Sequence, residues 1–199
     1  MRNYFLALNR IDKVLLGPGE QYNANTSLSQ IRGYCTGRGE ANFLFYGGVC
    51  GMTAQLFRTA LIHPSIEIVQ RHPHNEWFVQ YYGEQVGGDD AAIYQMSKQF
   101  EIKNSGTTDI YFRTKTDENE TFLVAISPRS SQWVEIKKET LTDLSAKLER
   151  KIWNHQIENE ILLLPLSPIT PSHFSNQENQ LLKEETYMSY YTKKNYERR

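Results

Sequence analysis

The sequence has few cysteines, no long apolar run and almost no net charge. Its two cysteines, Cys35 and Cys50, cannot form a disulfide scaffold across 199 residues, although one bridge between them is possible. The apolar runs are far too short to span a bilayer, and no signal peptide is visible because polar residues occur within the first ten positions. The net charge of −1, without a sustained basic stripe, gives no electrostatic reason to expect nucleic acid as the main partner.

The remaining composition is that of an ordinary soluble globular protein, with 39% hydrophobic and 23% charged residues. A chain of this length fits one domain with an appendage. The character of the sequence changes after Lys138, which predicts an α+β domain over residues 1–138 and a helical, proline-interrupted extension over residues 139–199. Taken as it stands, the sequence predicts a cytoplasmic protein.

Two helices and a mostly antiparallel sheet are expected in the first 138 residues. Apolar residues recur at helical spacing from Tyr4 to Leu15, where Gly17-Pro18-Gly19 stops the pattern, and again from Cys50 to Ile62. The short connections favour antiparallel pairing, with a hairpin formed by residues 100–103 and 110–115. The other segments with strand character are residues 66–71, 77–82, 91–95, 121–127 and 133–137.

The extension is predicted to be helical. Apolar residues at helical spacing, after a plausible cap at Thr140, are Leu141, Leu144, Leu148 and Ile152. A last amphipathic helix is expected from Ser175 to Tyr191, after a segment that prolines interrupt.

The stretch from Tyr46 to Ala92 carries the residues with catalytic potential, beginning with Cys50. Gly47-Gly48 allows a sharp turn into the helix, and a cysteine at a helix N-terminus has its thiolate stabilised by the open amide N–H groups and the helix dipole. Those amides, at Gly48 and Gly51, are also candidates for holding a substrate oxyanion. The competing interpretation is that Cys50 is a small buried residue without reactivity.

A base and a carboxylate follow in the same stretch. His72 and His74 face the same side of an extended segment, and His74 is the stronger candidate for a general base because it lies nearer Asp90 in sequence. Asp90 is the candidate for orienting that imidazole. This order of cysteine, histidine and aspartate is that of transglutaminase-like and papain-like enzymes. The alternative is that the histidines lie at a surface turn and that Gly-Gly-Asp-Asp is turn chemistry.

Two other interpretations fit the same residues. Cys50, His72 and His74, with Asp90 as a further ligand, suit a Zn²⁺ site, although a cysteine at a glycine-flanked helix start is better explained by nucleophile activation. Alternatively, aromatic residues such as Trp77 and Tyr81 line a groove for glycan or peptide in a protein without catalytic activity. Core and sheet packing is the competing explanation for those aromatics.

The run from Leu8 to about Lys115 resembles the VanW-like family, named for an accessory protein in vancomycin-resistance clusters. The matching pieces are Leu8-Asn9, Gly17-Pro18-Gly19-Glu20, Gly47-Gly48-Val49-Cys50 with the following helix, Glu67 to His74, Val79, Tyr81, Asp90-Ala91 and Phe100 to Asn104. The resemblance implies a bacterial protein of the cell envelope, often preceded by a membrane anchor. It makes cell-wall peptide or glycan the expected partner, and peptide or amide bonds the expected substrate.

The sequence departs from the family pattern beside the cysteine. The family has three glycines before Val-Cys, whereas the first position here is Tyr46, and it has Gln after the cysteine, whereas Gly51 stands here. His74 is followed by Asn75 instead of Ser. If the missing Gln contacts substrate, these departures imply altered activity or specificity.

Overall fold

The computed structural model describes residues 2–29, 33–35, 48–94, 97–116, 121–155 and 179–196. This described part is mostly antiparallel β-sheet with short helices. The helices are α1 (Arg2–Ile11), α2 (Ala24–Ser29), α3 (Val49–Ile62) and α4 (Val79–Tyr82). The strands are β1 (Leu15–Leu16), β2 (Gln21–Asn23), β3 (Ile66–Gln70), β4 (Glu76–Phe78), β5 (Glu101–Asn104), β6 (Ile110–Thr116), β7 (Thr121–Ile126), β8 (Gln132–Thr142), β9 (Ser145–His155), β10 (Asn179–Tyr190) and β11 (Lys193–Asn195).

The two predicted helices of the N-terminal region are present and pack against each other at the centre of the core. Helix α3 runs over Val49–Ile62, as its apolar periodicity indicates. Helix α1 ends at Ile11, earlier than expected, because Leu15 and Leu16 pair with β6. Between α1 and β1 the chain changes direction at Lys13, which adopts a left-handed conformation with φ of 68°.

The sheets are small and mostly antiparallel. β5 lies between β2 and β3, and β6 lies between β1 and β7. The predicted hairpin of residues 100–103 and 110–115 is therefore wrong, because its two strands belong to different sheets. Asn104 fixes the separation, since its side-chain amide donates to the carbonyl groups of Leu16 and Thr108, both at 2.8 Å.

Two further predicted strands are also wrong in part. A strand was predicted over residues 77–82. The observed strand β4 covers Glu76–Phe78, and the chain continues as helix α4 from Val79. Residues 91–93 form no strand, and Tyr94 makes only an isolated bridge to Lys98. Gln95 lies outside the described residues.

The predicted α+β class with a helical C-terminal extension, and the helix-packed transglutaminase-like or papain-like order with it, are wrong. β8, β9 and β10 form a long antiparallel sheet where helices were expected. Leu148 and Ile152 are four residues apart, a spacing that satisfies the helical period and the strand period alike. Arg150 between them and Ala146 before them are also buried, so the true period is two. The proline-interrupted segment, residues 156–178, lies outside the described residues.

A buried arginine joins this C-terminal sheet to α3. Arg150 on β9 is fully buried and donates to the carbonyl groups of Leu61, His63 and Ile66 at 2.9, 2.7 and 2.9 Å. These carbonyls lie at the C-terminal end of α3 and just beyond it, where helical carbonyls lack intrahelical partners. Arg150 also pairs with Glu185 on β10 at 2.5 Å. The C-terminal sheet is thereby fixed against the helix that carries Cys50.

Candidate functional site

The site begins at the N-terminus of α3. Gly48 precedes the helix with φ of 95° and ψ of −13°, a left-handed conformation that favours glycine. The backbone of Tyr4 lies close to Gly48, and the Tyr4 ring lies 3.5 Å from the position of a Cβ atom on Gly51. The helix therefore starts at Val49, with Cys50 on its first turn. The N–H of Gly51, an oxyanion candidate in the sequence, donates to the carbonyl of Gly48 at 3.2 Å. Cys50 is partly exposed.

His74 and Asp90 form a buried pair beside Cys50. The imidazole Nδ1 lies 2.6 Å from Asp90 Oδ2, and the backbone N–H of His74 donates to the same oxygen at 2.8 Å. The Cys50 side chain also acts on the imidazole and raises the pKa of His74. Because Nδ1 is bonded to Asp90, Nε2 is the ring nitrogen that remains for a further partner. The Cys50 Sγ atom also lies 3.7 Å from the carbonyl oxygen of Ile93.

The electrostatics of the pair favour a charged imidazole. Burial lowers the pKa of His74, but hydrogen bonds to Asp90 and Cys50 and the negative charges of both groups outweigh it and raise the pKa to about 10. Burial raises the pKa of Asp90, but the His74 hydrogen bond and charge and the charge of Arg71 together hold that pKa well below its usual value. Because interaction energies are reciprocal, an imidazolium that the Cys50 thiolate stabilises also stabilises that thiolate.

Asp90 is held by two further donors. Arg71 Nη2 donates to Asp90 Oδ1 at 3.0 Å, and the Tyr191 hydroxyl donates to the same oxygen at 2.5 Å. Arg71 also donates to the carbonyl oxygens of Asp90 and Gly88, both at 2.8 Å. A fully buried carboxylate with this set of partners keeps its charge and its orientation.

The segment that carries Asp90 is fixed by backbone contacts from both sides. The N–H of Ala92 donates to the carbonyl of His72 at 2.8 Å, and the Thr53 hydroxyl donates to the carbonyl of Ala91 at 2.7 Å. Helix α3 and the histidine segment are therefore both attached to the residues beside Asp90. Gly88 has φ of 68°, and a Cβ atom there would lie 3.2 Å from Ala146 and Ser189 of the C-terminal sheet.

The structure brings His74 and Asp90 into contact, and the Cys50 side chain acts on the same imidazole. The His72 ring makes a different contact, with its Nε2 3.1 Å from the side-chain nitrogen of Gln70. Trp77 is fully buried and donates to the carbonyl of Gly83, so its ring packs in the interior and presents no surface to a ligand.

The other predicted site residues are Tyr81 and the glycines at the start of α3. Tyr81 lies in α4, but its side chain lies outside the described residues, as do Tyr46 and Gly47. Gly48 and Gly51 lie at the start of α3 beside Tyr4. Among the described residues, no group of three or more His, Cys, Asp or Glu side chains is arranged to hold a metal ion, which gives the Zn²⁺ interpretation no support.

Arg71 and Tyr191 are site residues that the sequence did not reveal, whereas Tyr82 was one of the aromatics considered for a groove. Arg71 precedes His72 in the sequence and could have been found as a cation beside the histidine pair. Tyr82 packs near the His74 ring at a centroid distance of 6.0 Å. Tyr191 follows His74 by more than a hundred residues, so no local pattern could place it against Asp90.

Fold and site together define a class: a sheet-rich protein in which a cysteine at a helix N-terminus is coupled to a buried histidine–carboxylate pair. Residues 1–126 match the family model described as VanW like protein, and the chain belongs to that family. The match confirms the resemblance seen in the sequence. It includes Cys50, His74 and Asp90 and ends before the C-terminal sheet.

No curated protein and no solved structure matched the chain. Among the described residues, none of the helices combines the length and the apolar character needed to cross a membrane.

Proposed function

We propose that this VanW-like protein is a cysteine-dependent acyl-transfer enzyme in which Cys50 is the nucleophile, His74 the acid and base, and Asp90 the orienting carboxylate. One observation carries the proposal: the imidazole of His74 is bonded to Asp90 at 2.6 Å, and the Cys50 side chain acts on the same imidazole and raises its pKa. A nucleophile, a base and an orienting group in hydrogen-bonded sequence are the requirement for nucleophilic catalysis.

The charges around His74 support a particular resting state. The raised pKa of His74 supports an imidazolium at neutral pH, and we infer a Cys50 thiolate beside it as the counter-charge. Asp90 stabilises that imidazolium and fixes its ring. The start of α3 contributes the positive end of the helix dipole on the thiolate side.

The reaction then follows in two balanced halves. The Cys50 thiolate attacks the carbonyl carbon of an amide, and the tetrahedral intermediate collapses to a thioester as the C–N bond breaks. His74 gives its proton to the departing amine. In the second half, neutral His74 takes a proton from water or from an acceptor amine, which attacks the thioester. The C–S bond breaks and restores the thiolate–imidazolium pair.

Family membership supports the choice of substrate and compartment. We infer peptide or amide bonds of the bacterial cell wall as the substrate class and the cell envelope as the place of action. The thiolate–imidazolium pair fits this class, because cleavage of an amide needs a proton for the departing nitrogen, and His74 carries one.

The test is the pH dependence of Cys50 alkylation by iodoacetamide, in protein that carries Cys35→Ser. We expect Cys50 to be alkylated at pH values well below about 8.5, the pKa of an ordinary cysteine thiol. In His74→Ala, the rate constant at pH 6.5 is expected to fall about tenfold or more, because the thiolate loses its counter-ion. His72→Ala is the matched control, since the His72 ring contacts Gln70, and it is expected to leave the rate unchanged.

Equal rate profiles in the His74→Ala and His72→Ala proteins would contradict the proposal. They would mean that Cys50 is a structural residue and that the histidine does not activate it.

The second candidate function is a binding module for cell-wall peptide or glycan. An open groove of about 750 Å³ lies between α3, β7 and β8 and offers both apolar and charged side chains. Phe122 and Ile62 are exposed in it, and Arg58 and Lys138 flank the Asp89 carboxylate at its edge. An inert Cys50 in the alkylation experiment would make this the leading function.

A further inference from the structure

The carboxylate of Asp90 has its hydrogen-bonding capacity filled by donors from two distant parts of the chain. Oδ2 accepts from the backbone N–H and the ring of His74, and Oδ1 accepts from Arg71 and Tyr191. A carboxylate offers about four acceptor sites, so each of these donors occupies one. Three of the four bonds come from residues 71–74, and the fourth comes from beyond the region that matches the family.

The segment after β10 is anchored on both sides of Tyr191. The N–H of Tyr191 donates to the carbonyl of Leu144 at 2.8 Å, and the N–H of Thr192 donates to the carbonyl of Asn75 at 2.7 Å. β11 then pairs in parallel with β4, directly after the histidine segment. The Tyr191 ring packs edge-on against Trp77, at a centroid distance of 5.2 Å. The hydroxyl therefore reaches Asp90 from a ring that has little freedom to move.

A second contact from β10 supports the same part of the site. The Ser189 hydroxyl accepts from Arg71 Nη1 at 2.8 Å, and Ser189 is fully buried. Arg71 therefore connects β10 to Asp90. Ser189 and Tyr191 are two residues apart and face the same side of the extended chain.

We propose that Tyr191 is a positioning residue for the His74–Asp90 pair and that the C-terminal sheet, outside the family-matched region, completes the site. Tyr191 holds Oδ1 so that Oδ2 stays directed at His74. The catalytic consequence rests on the proposed function, whereas the positioning itself does not. Burial and the charge of Asp90 raise the pKa of Tyr191, so its hydroxyl remains a donor at physiological pH.

The experiment compares full-length Tyr191→Phe with Tyr190→Phe. The first variant removes the hydroxyl and keeps the ring packed on Trp77, and the second removes a hydroxyl from the neighbouring, largely exposed residue. The first readout is the exchange rate of the His74 Nδ1–H proton with water, measured by ¹⁵N-edited NMR. We expect exchange to be about tenfold faster or more in Tyr191→Phe, because a hydrogen bond to a buried charged group is lost. The second readout is Cys50 alkylation at pH 6.5, which we expect to slow in the same variant only.

The outcomes separate this proposal from the proposed function. Unchanged exchange in Tyr191→Phe, or equal acceleration in Tyr190→Phe, overturns the positioning role. Faster exchange in Tyr191→Phe together with an unreactive Cys50 in the parent protein supports the positioning role and refutes the enzymatic one. Changes in both readouts, absent from Tyr190→Phe, support both.

Discussion

Replacement of Arg150 by methionine is expected to destabilise the protein by roughly 3–5 kcal/mol, the cost of breaking a buried ion pair by removal of one partner. Arg150 is fully buried and donates to the main-chain carbonyls of Leu61 at the end of α3 and of His63 and Ile66 just beyond it. Methionine fills much of the volume but donates no hydrogen bond, so those carbonyls lose a buried donor and Glu185 loses one of its two cationic partners. Urea unfolding at pH 7 measures the effect.

Lys151→Met is the matched control for this prediction. Lys151 is the next residue on β9 and forms a half-exposed pair with Glu184 at 3.5 Å. Exposed pairs contribute about 0–1 kcal/mol, so the control is expected to change the free energy of unfolding by no more than that. Comparable losses in the two variants would show that Arg150 does not join the C-terminal sheet to α3 in the way described.

Asp90→Asn is expected to have an effect of similar size, roughly 3–5 kcal/mol at pH 6, because it leaves His74 and Arg71 buried without their counter-charge. The effect has a defined pH window. The pKa of His74 is raised in the folded protein to about 10, so its contribution is fully present below its unfolded value of 6.5 and is lost as the pH rises from there to about 10.

The lower pH limit of the stability difference is set by Asp90 itself. Its pKa is lowered on folding from 3.8 to about 2, so its contribution is present above 3.8 and is lost as the pH falls through this range. The difference between wild-type and Asp90→Asn protein is therefore expected to be largest between about pH 4 and 6.5 and to shrink on both sides. Urea unfolding at a series of pH values gives this difference directly.

Asp89→Asn is the control, because Asp89 pairs with Arg58 and Lys138, whose side chains are 40% and 49% exposed. A loss of about 1 kcal/mol is expected there. A difference between wild-type and Asp90→Asn protein that stays constant from pH 5 to pH 10 would show that His74 is not charged against Asp90.

The candidate site was more accessible to sequence reasoning than the C-terminal fold. A glycine turn, a cysteine and a helical period are adjacent in sequence, so the position of Cys50 at the start of α3 could be predicted locally. His74 and Asp90 are sixteen positions apart, so a short connecting segment is enough to bring them into contact. The carboxylate and the imidazole were therefore predictable as partners from residue type and order.

The C-terminal sheet was missed for a physical reason. Residues 148 and 152 fit a helix and a strand equally well, and the charges around them fit the exposed face of either. Arg150 decides between the two, because it lies on the same inward face as Leu148 and Ile152, but an arginine is normally read as a surface residue. Its burial depends on carbonyls at the end of α3, far away in sequence. Tyr191 was hidden for the same reason.

The central claim is that Cys50 and His74 form one charged unit oriented by Asp90. It is tested most directly by a ¹⁵N NMR titration of the His74 ring, in protein carrying Cys35→Ser and in the same protein with Cys50→Ala. We predict a doubly protonated His74 ring at pH 8 in the first protein, and a titration displaced to lower pH in the second, because the thiolate charge has been removed. A His74 ring that is neutral at pH 7, or a titration unaffected by Cys50→Ala, would contradict the claim.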